Sequence, residues 1–527
     1  MDFNTGGEKT SDFRLNKELI KVNDLVYDNT TEQAVELDYV LPDYYPEIFR
    51  IVKTTLTPRI VSRSYTAGRL TFEMSVVANI LYLSENSNAL QSIQQRLNYT
   101  KTIELGKPYL NINAQIIPRT DYVNCRAVNS RRIDLRGAIA VKVKVFAENP
   151  LEIIADAFGM NTRLKKRPIK YIANKNTGSK HMNIEEDYAI PASSPAVNSI
   201  IRTNAVIFPG EKKIIAGKLS VKGDAVIEVL YSFEKDGQTG LEPLRITVPF
   251  HQIVDVDGID DSFLAEALYE IAGVDITPRA ENDGEARKLE IELGVNVLVT
   301  AIRQGNAEIV TDAYSTKYPL DYTRNEIELA EPPVVLKENI SEKDSIMTED
   351  IAISGIYDAW AEVNNVIATP DYDNHNITVS GNILSSAAVY DTENIPHILE
   401  HEDGFTHIIP YEDLTAGTIV SAEVIPTTVS SALSSENEVI VKTDLAVSVN
   451  VYNSARVDTL TDITVDEDGV LPKNGDIALK LYFGKAGEEL WDIAKRYNSS
   501  VDSIMDGNEF TDDVLKDDGP ILVPIYG

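Results

Sequence analysis

A chain of 527 residues has room for three or four domains at roughly 150 residues each. Its 49 basic against 82 acidic residues leave a net charge of −33, a field that repels nucleic-acid phosphates, anionic lipid and anionic wall polymers, so a basic partner or a neutral sugar fits it better. One cysteine, Cys125, rules out an intramolecular disulfide, and no run of about 18 apolar residues is present to form a spanning helix.

The N-terminal "MDFNTGGEKTSDFRLNK" has no basic n-region, apolar core or cleavage site, so the expected location is cytoplasmic. Helix is expected in parts of this first segment. A repeated β pattern follows. "AGRLTFEMSVVANILYL" (67–83) aligns without a gap with "AGKLSVKGDAVIEVLYS" (216–232), placing Gly68, Leu70, Val77, Leu81 and Tyr82 on Gly217, Leu219, Val226, Leu230 and Tyr231. Upstream, "LPDYYP" and "IPASSP" put Pro42 and Pro46 in the same register as Pro191 and Pro195. A looser third copy is "ITVSGNILSSAAVYD" (377–391), one residue longer between Gly381 and Tyr390.

A second block recurs later in each copy. In "RIDLRGAIAVKVKVF" (132–146), Ile133, Leu135, Ile139, Val141 and Val143 fall at alternating positions. Leu289, Ile291, Val295, Val297 and Val299 match them, as do Val439, Val441, Leu445, Val447 and Val449. Period-two alternation of β-branched residues marks strands with one buried face. The prolines of "IIPR" (116–119), "ITPR" (276–279) and "VIPT" (424–427) cannot donate to a ladder and so mark strand starts or edges.

Between the copies, 162–187 and 337–350 read as connections, and "DDSFLAEALYEIAG" (260–273) as a helix. Within 162–187, Arg163, Lys165, Lys166, Arg167, Lys170, Lys175 and Lys180 form a basic island without an acid between its ends, either a contact for acidic partners or another copy of this chain, or a solvated connecting loop. Carboxylate pairs such as Glu185-Glu186 read as ordinary surface. "HILEH" (397–401) matches the H-x-x-E-H of zinc peptidases. Pro396 just before it and its register with 244–254 place it in a strand, where His397 and His401 stand about 13 Å apart, too far to share one zinc, and nearby His407 does not change this. No catalytic residue, metal site or cofactor is expected.

The period changes from about residue 474. "IALKLYFG" (477–484) reads as a strand. In 488–498, Leu490, Ile493, Ala494 and Tyr497 share one helical face. Ser500 is a candidate N-cap for a second helix over 500–508, and "PILVPIY" (520–526) reads as a closing strand. This βααβ order, with "GEELWDIAKRYN", resembles the LysM module. The resemblance implies a ligand face made by the loop with Gly487, Glu488, Glu489 and Leu490 and the loop from Asn508 through Asp517 to Asp518. Glu489 replaces the usual Ser or Thr, and Leu515-Lys516-Asp517-Asp518 replaces the usual Leu-x-Pro-Gly. With 5 basic and 11 acidic residues from 474 onward, the module suits a basic protein surface better than a glycan. Trp491 is either an exposed anchor on that surface or part of the small core.

The β copies, the "VLPDYYPEI" start (40–48) and one terminal LysM together resemble the clostridial SpoIVA-interacting protein (SipL) family. The resemblance implies a spore-coat assembly protein in the mother-cell cytoplasm, docking on a SpoIVA-like protein at the forespore surface and linking other coat proteins. The alternative is a protein holding peptidoglycan or chitooligosaccharide through N-acetylglucosamine. The expected architecture is mainly β: three tandem β-sandwich-like repeat domains (1–160, 161–335, 336–470) followed by a small βααβ LysM domain (474–527). No nucleic acid or direct membrane insertion is expected.

Overall fold

The computed structural model describes residues 13–84, 90–109, 111–235, 238–280, 284–472 and 478–525. The chain is mainly β, as its alternation predicts. In the first copy, β1 (Arg14–Val40), β6 (Arg132–Phe158) and β5 (Ile112–Asn129) form one antiparallel sheet, in that order. It faces a meander of β2 (Ile48–Thr66), β3 (Arg69–Ser84) and β4 (Leu90–Glu104). The second copy repeats this with β7 (Thr162–Ala189), β12 (Ala286–Ser315) and β11 (Leu264–Ala280) over β8 (Ser199–Ile215), β9 (Lys218–Lys235) and β10 (Gln238–Asp255).

In the third copy the two long strands are each broken in two. β13 (Leu320–Ala330) precedes β14 (Val334–Met347), and β19 (Glu438–Tyr452) precedes β20 (Ser454–Val465). Pro332 and Pro333, which have no N–H, interrupt the ladder at the break. β14, β19 and β18 (Ile419–Ser435) then face β15 (Ile353–Asp371), β16 (Asn376–Asp391) and β17 (Pro396–Pro410).

The residues aligned by the second sequence block fill the cores: from Ile133 to Val143, Leu289 to Val299 and Val439 to Val449, every aligned position is at most 2% exposed. The shared spacing of prolines and tyrosines has a mechanical cause. The Tyr82 hydroxyl donates to the Pro46 carbonyl (3.0 Å), and the Tyr231 hydroxyl to that of Pro195 (3.1 Å). Ala67-Gly68 and Ala216-Gly217 all have positive φ, the requirement of a two-residue hairpin turn, which favours glycine at the second place. In the third copy, Val389 rather than Tyr390 takes the register place of Tyr82, opposite Ile356. Pro118, Pro278 and Pro426 all lie in the edge strands β5, β11 and β18.

Four expectations need correction. Residues 162–187 are not a connection but nearly all of β7, paired along β12 from Thr162↔Ser315 to Ala189↔Lys288. Residues 337–350 lie mostly in β14, paired with β19. The segment 260–273 is a turn followed by β11, with Ala267, Tyr269 and Ile271 toward the core and Leu264 and Leu268 exposed. Ladder pairing to β12 overrides the helical propensity of its Ala, Leu and Glu. The described part of the N-terminal segment likewise is strand β1, not helix; its first 12 residues lie outside the described set.

The three copies close into a ring. β4 packs on β8, β10 on β15, and β17 on β2, the same contact repeated cyclically. At one end, Leu81, Leu83, Leu90, Ile201, Leu230 and Trp360 meet. The Arg202 guanidinium lies 4.7 Å from the Trp360 ring and the Lys53 ammonium 5.7 Å from it, one cation from each neighbouring copy. Trp360→Ala is expected to cost about 3–5 kcal/mol, read as a lowered denaturant midpoint; an unchanged midpoint would show that this contact contributes nothing to closure. At the other end the long strands run on as two-stranded ribbons: the first from β1 and β6, the second from β7 and β12, the third from β13 and β20. Ile153, Ile154, Ile309, Val310, Val457 and Leu460 bring all three ribbons together.

Candidate functional site at the C-terminal module

Beyond β20 come β21 (Leu479–Gly484), α1 (Leu490–Arg496), α2 (Val501–Asn508) and β22 (Gly519–Pro524), the expected βααβ order. Apolar spacing at i, i+3 and i+4 buries Leu490, Ile493 and Ala494 of α1. Ser500 caps α2 by accepting from the Ser503 N–H at 3.2 Å.

The two loops expected to form a ligand face are joined by backbone. Gly487 N–H donates to Leu515 O (2.8 Å), Leu515 N–H to Glu488 O (2.9 Å) and Leu490 N–H to Asp513 O (2.7 Å). Most of the named side chains are engaged inside the chain. Glu488 accepts from the Lys485 N–H (3.0 Å) and the Tyr482 hydroxyl, and that backbone N–H is the main reason its carboxyl sits below the usual range. Asp518 accepts from Ala486 N–H at 2.7 Å, and Asp517 lies exposed beside it. The Asn508 amide both donates to Leu522 O and accepts from Leu522 N–H, each at 2.7 Å, capping the edge of β22. Leu490 is core.

Trp491 takes neither of its expected roles alone: it is half-buried against the body of the same chain. Its ring meets Tyr314 edge-on at 4.9 Å, and its Nε1–H donates to Asp312 at 2.9 Å. Lys495, one turn on, donates to both Asp312 oxygens (2.7 and 2.8 Å) and to the Tyr322 hydroxyl (3.1 Å). Glu489 pairs with Lys165 of the basic island, and the Tyr314 hydroxyl donates to Ser499 O at 2.7 Å. Tyr314 is 5% exposed and joins the module's own core; burial, with Asp502 and Asp312 adding, pushes its phenol up to about 12. Burial pushes the Asp312 carboxyl up, but the hydrogen bonds from Lys495 and Trp491 outweigh it and leave the group below its ordinary value. For Lys495 burial pulls down, and the bonds to Asp312 and Tyr322 more than restore it. An open cleft of about 400 Å³ lies beside this seat, lined by Tyr318, Tyr322, Leu471, Lys495 and Asn498 among others.

Away from the seat, the module leaves one face bare. Opposite partners in an antiparallel pair share a face. Leu479↔Pro524, Leu481↔Leu522 and Phe483↔Pro520 therefore form one apolar outer surface, with Leu481 71% and Phe483 67% exposed. Ile521 and Val523 are buried on the inner side. The alternation of Leu479, Leu481 and Phe483 is the sequence signal for this face, and by itself it specifies only a strand.

The histidines of "HILEH" lie in β17, as their register predicts. His397 contacts Asp391 (2.9 Å), His401 contacts Asp344 (2.8 Å) and His407 contacts Glu338 (2.5 Å), three separate acids. Among the described residues no group of three or more His, Cys, Asp or Glu is placed to hold a metal, and no helix is long and apolar enough to cross a membrane.

Comparison with known families finds two matches. The family model described as "SipL, SPOCS domain" matches residues 196–278, which span β8 to β11, and that described as "LysM domain" matches 485–518. No curated protein and no solved structure matches the chain.

Proposed function

From the premise that this chain carries a SipL SPOCS domain and a terminal LysM domain, we propose a non-enzymatic role in assembling the spore envelope. The C-terminal module docks on a SpoIVA-like morphogenetic protein at the forespore surface, inside the mother-cell cytoplasm. The β repeats link that anchor to other coat proteins. Neither matched family is a catalytic one. The observation that carries the docking role is the bare apolar face of β21 and β22. Contiguous exposed apolar surface marks a protein contact, and a saccharide needs polar groups that this face does not offer. The body holds the module by α1 and so leaves this face outward.

The test uses the full-length chain, incubated separately with a purified SpoIVA-like protein and with insoluble peptidoglycan and chitin. Retention by the protein and passage over both polysaccharides is the expected result. Retention on either polysaccharide with no binding to the protein would give the module a sugar-holding role instead.

A further inference from the structure

The seat that holds the C-terminal module has a counterpart on the first ribbon. All three ribbons carry the same bulge: their pairing skips Ala155, Thr311 and Thr461. An aspartate follows each time, Asp156, Asp312 and Asp462. The residues just before the bulges, Ile154, Val310 and Leu460, share one core, which fixes the equivalence in space. Each of the first two aspartates reaches a cation on the next ribbon, in the same cyclic sense: Asp156–Lys166 at 3.2 Å and Asp312–Arg324 at 3.1 Å. Arg14 pairs with Phe158 as Arg163 pairs with Tyr314.

The two positions differ in cover. Tyr314 is 5% exposed because the module lies on it, whereas Phe158, in the same place, is 57% exposed. The third ribbon has Thr464 there and offers no ring. We propose that Asp156 and Phe158 form a second docking seat, for a helix of a partner polypeptide that presents an aromatic side chain and a lysine or arginine one turn apart.

The occupied seat defines that chemistry. There, α1 supplies an indole and an ammonium four residues apart, both donating to one carboxylate, with the indole and the Tyr314 ring in edge-to-face contact. Asp156 and Phe158 repeat the carboxylate and the face. The selection is local rather than a matter of net charge: an acid in the place of the lysine or arginine would face the Asp156 carboxylate and be repelled. Two hydroxyls are missing, because Phe158 stands for Tyr314 and Leu164 for Tyr322, so this seat holds its helix less tightly. A second copy's own module would have to leave the better seat to use it. The inference concerns the repeats and does not depend on what the C-terminal module binds.

The probe is a stapled, fluorescent peptide of residues 488–499, titrated into the full-length chain. Saturable binding is expected, weakened about tenfold or more by Asp156→Asn, by Phe158→Ser, and by replacing the peptide's tryptophan or lysine with alanine. Asp462→Asn is expected to change nothing. Because Phe158 is exposed and Asp156 lies at the surface, unchanged melting checks that the variants stay folded. Absence of binding overturns the proposal. So does binding that only Asp312→Asn weakens, which would mean the peptide displaces the module. Self-association of the full chain that Phe158→Ser abolishes would give the seat to a second copy and overturn the partner assignment.

Discussion

Replacing Tyr314 with alanine is expected to release the C-terminal module from the body while the three repeats stay folded. Tyr314 belongs to the second ribbon, yet its ring completes the core formed by Leu490, Ile493, Ile504 and Leu515. Truncating a buried aromatic costs about 3–5 kcal/mol, a large share of what a module of this size has. The release is read by limited proteolysis between 466 and 472, where cleavage should appear in the variant at protease levels the parent withstands. Equal resistance would show that the module is held by other means. The docking should also depend on pH in a definite sense. Asp312 is depressed in the folded state, so its contribution is present above the ordinary aspartate value near 4 and is lost as pH falls through its lower folded value. Lys495 is raised, so its contribution is present below about 10.4 and is lost as pH rises through its folded value. Docking is therefore firm from about pH 5 to 10, and Asp312→Asn should remove the acid limb of the cleavage profile.

Leu481→Asp combined with Phe483→Asp is expected to weaken binding to a SpoIVA-like protein by about a hundredfold or more, without lowering the melting temperature. Both side chains point to solvent, so the folded module loses no packing when they change. In a complex the same positions would bury two charges against an apolar surface, and anchor residues of this kind are worth about 2 kcal/mol or more each. Calorimetry on the full-length pair measures the loss. Undiminished binding would move the contact off the β21–β22 face.

The strands with a strict two-residue period were legible in the sequence, because alternate positions of β6, β12 and β19 lie between two sheets. So was the βααβ order of the module, whose helix spacing and Ser500 cap are local signals. β7 and β14 were not. Edge strands pack on one side only, and their lysines and glutamates face water, so they read as linkers; what makes them strands is pairing with residues about 100 to 150 positions away. The bulged ribbons hid for a related reason. "EIIADAF" (152–158), "EIVTDAY" (308–314) and "DTLTDIT" (458–464) recur, but the extra residue breaks the alternation that a period search detects. The docking of Trp491 on the body of the chain is not legible in the sequence, because Asp312, its partner there, stands 179 residues earlier in the chain.

Ring closure also sets a demand on synthesis. The apolar side chains of Leu81, Leu83 and Leu90 leave the ribosome roughly 300 residues ahead of Ile398, the last of the side chains that shelter them, a wait of about 15–60 s at ordinary elongation rates. During that interval the nascent first copy is bare along two flanks at first and, once β8 has emerged to cover β4, along the β2 flank that awaits β17. A truncation that removes the third copy makes the wait permanent, leaving an arc prone to aggregate through those leucines.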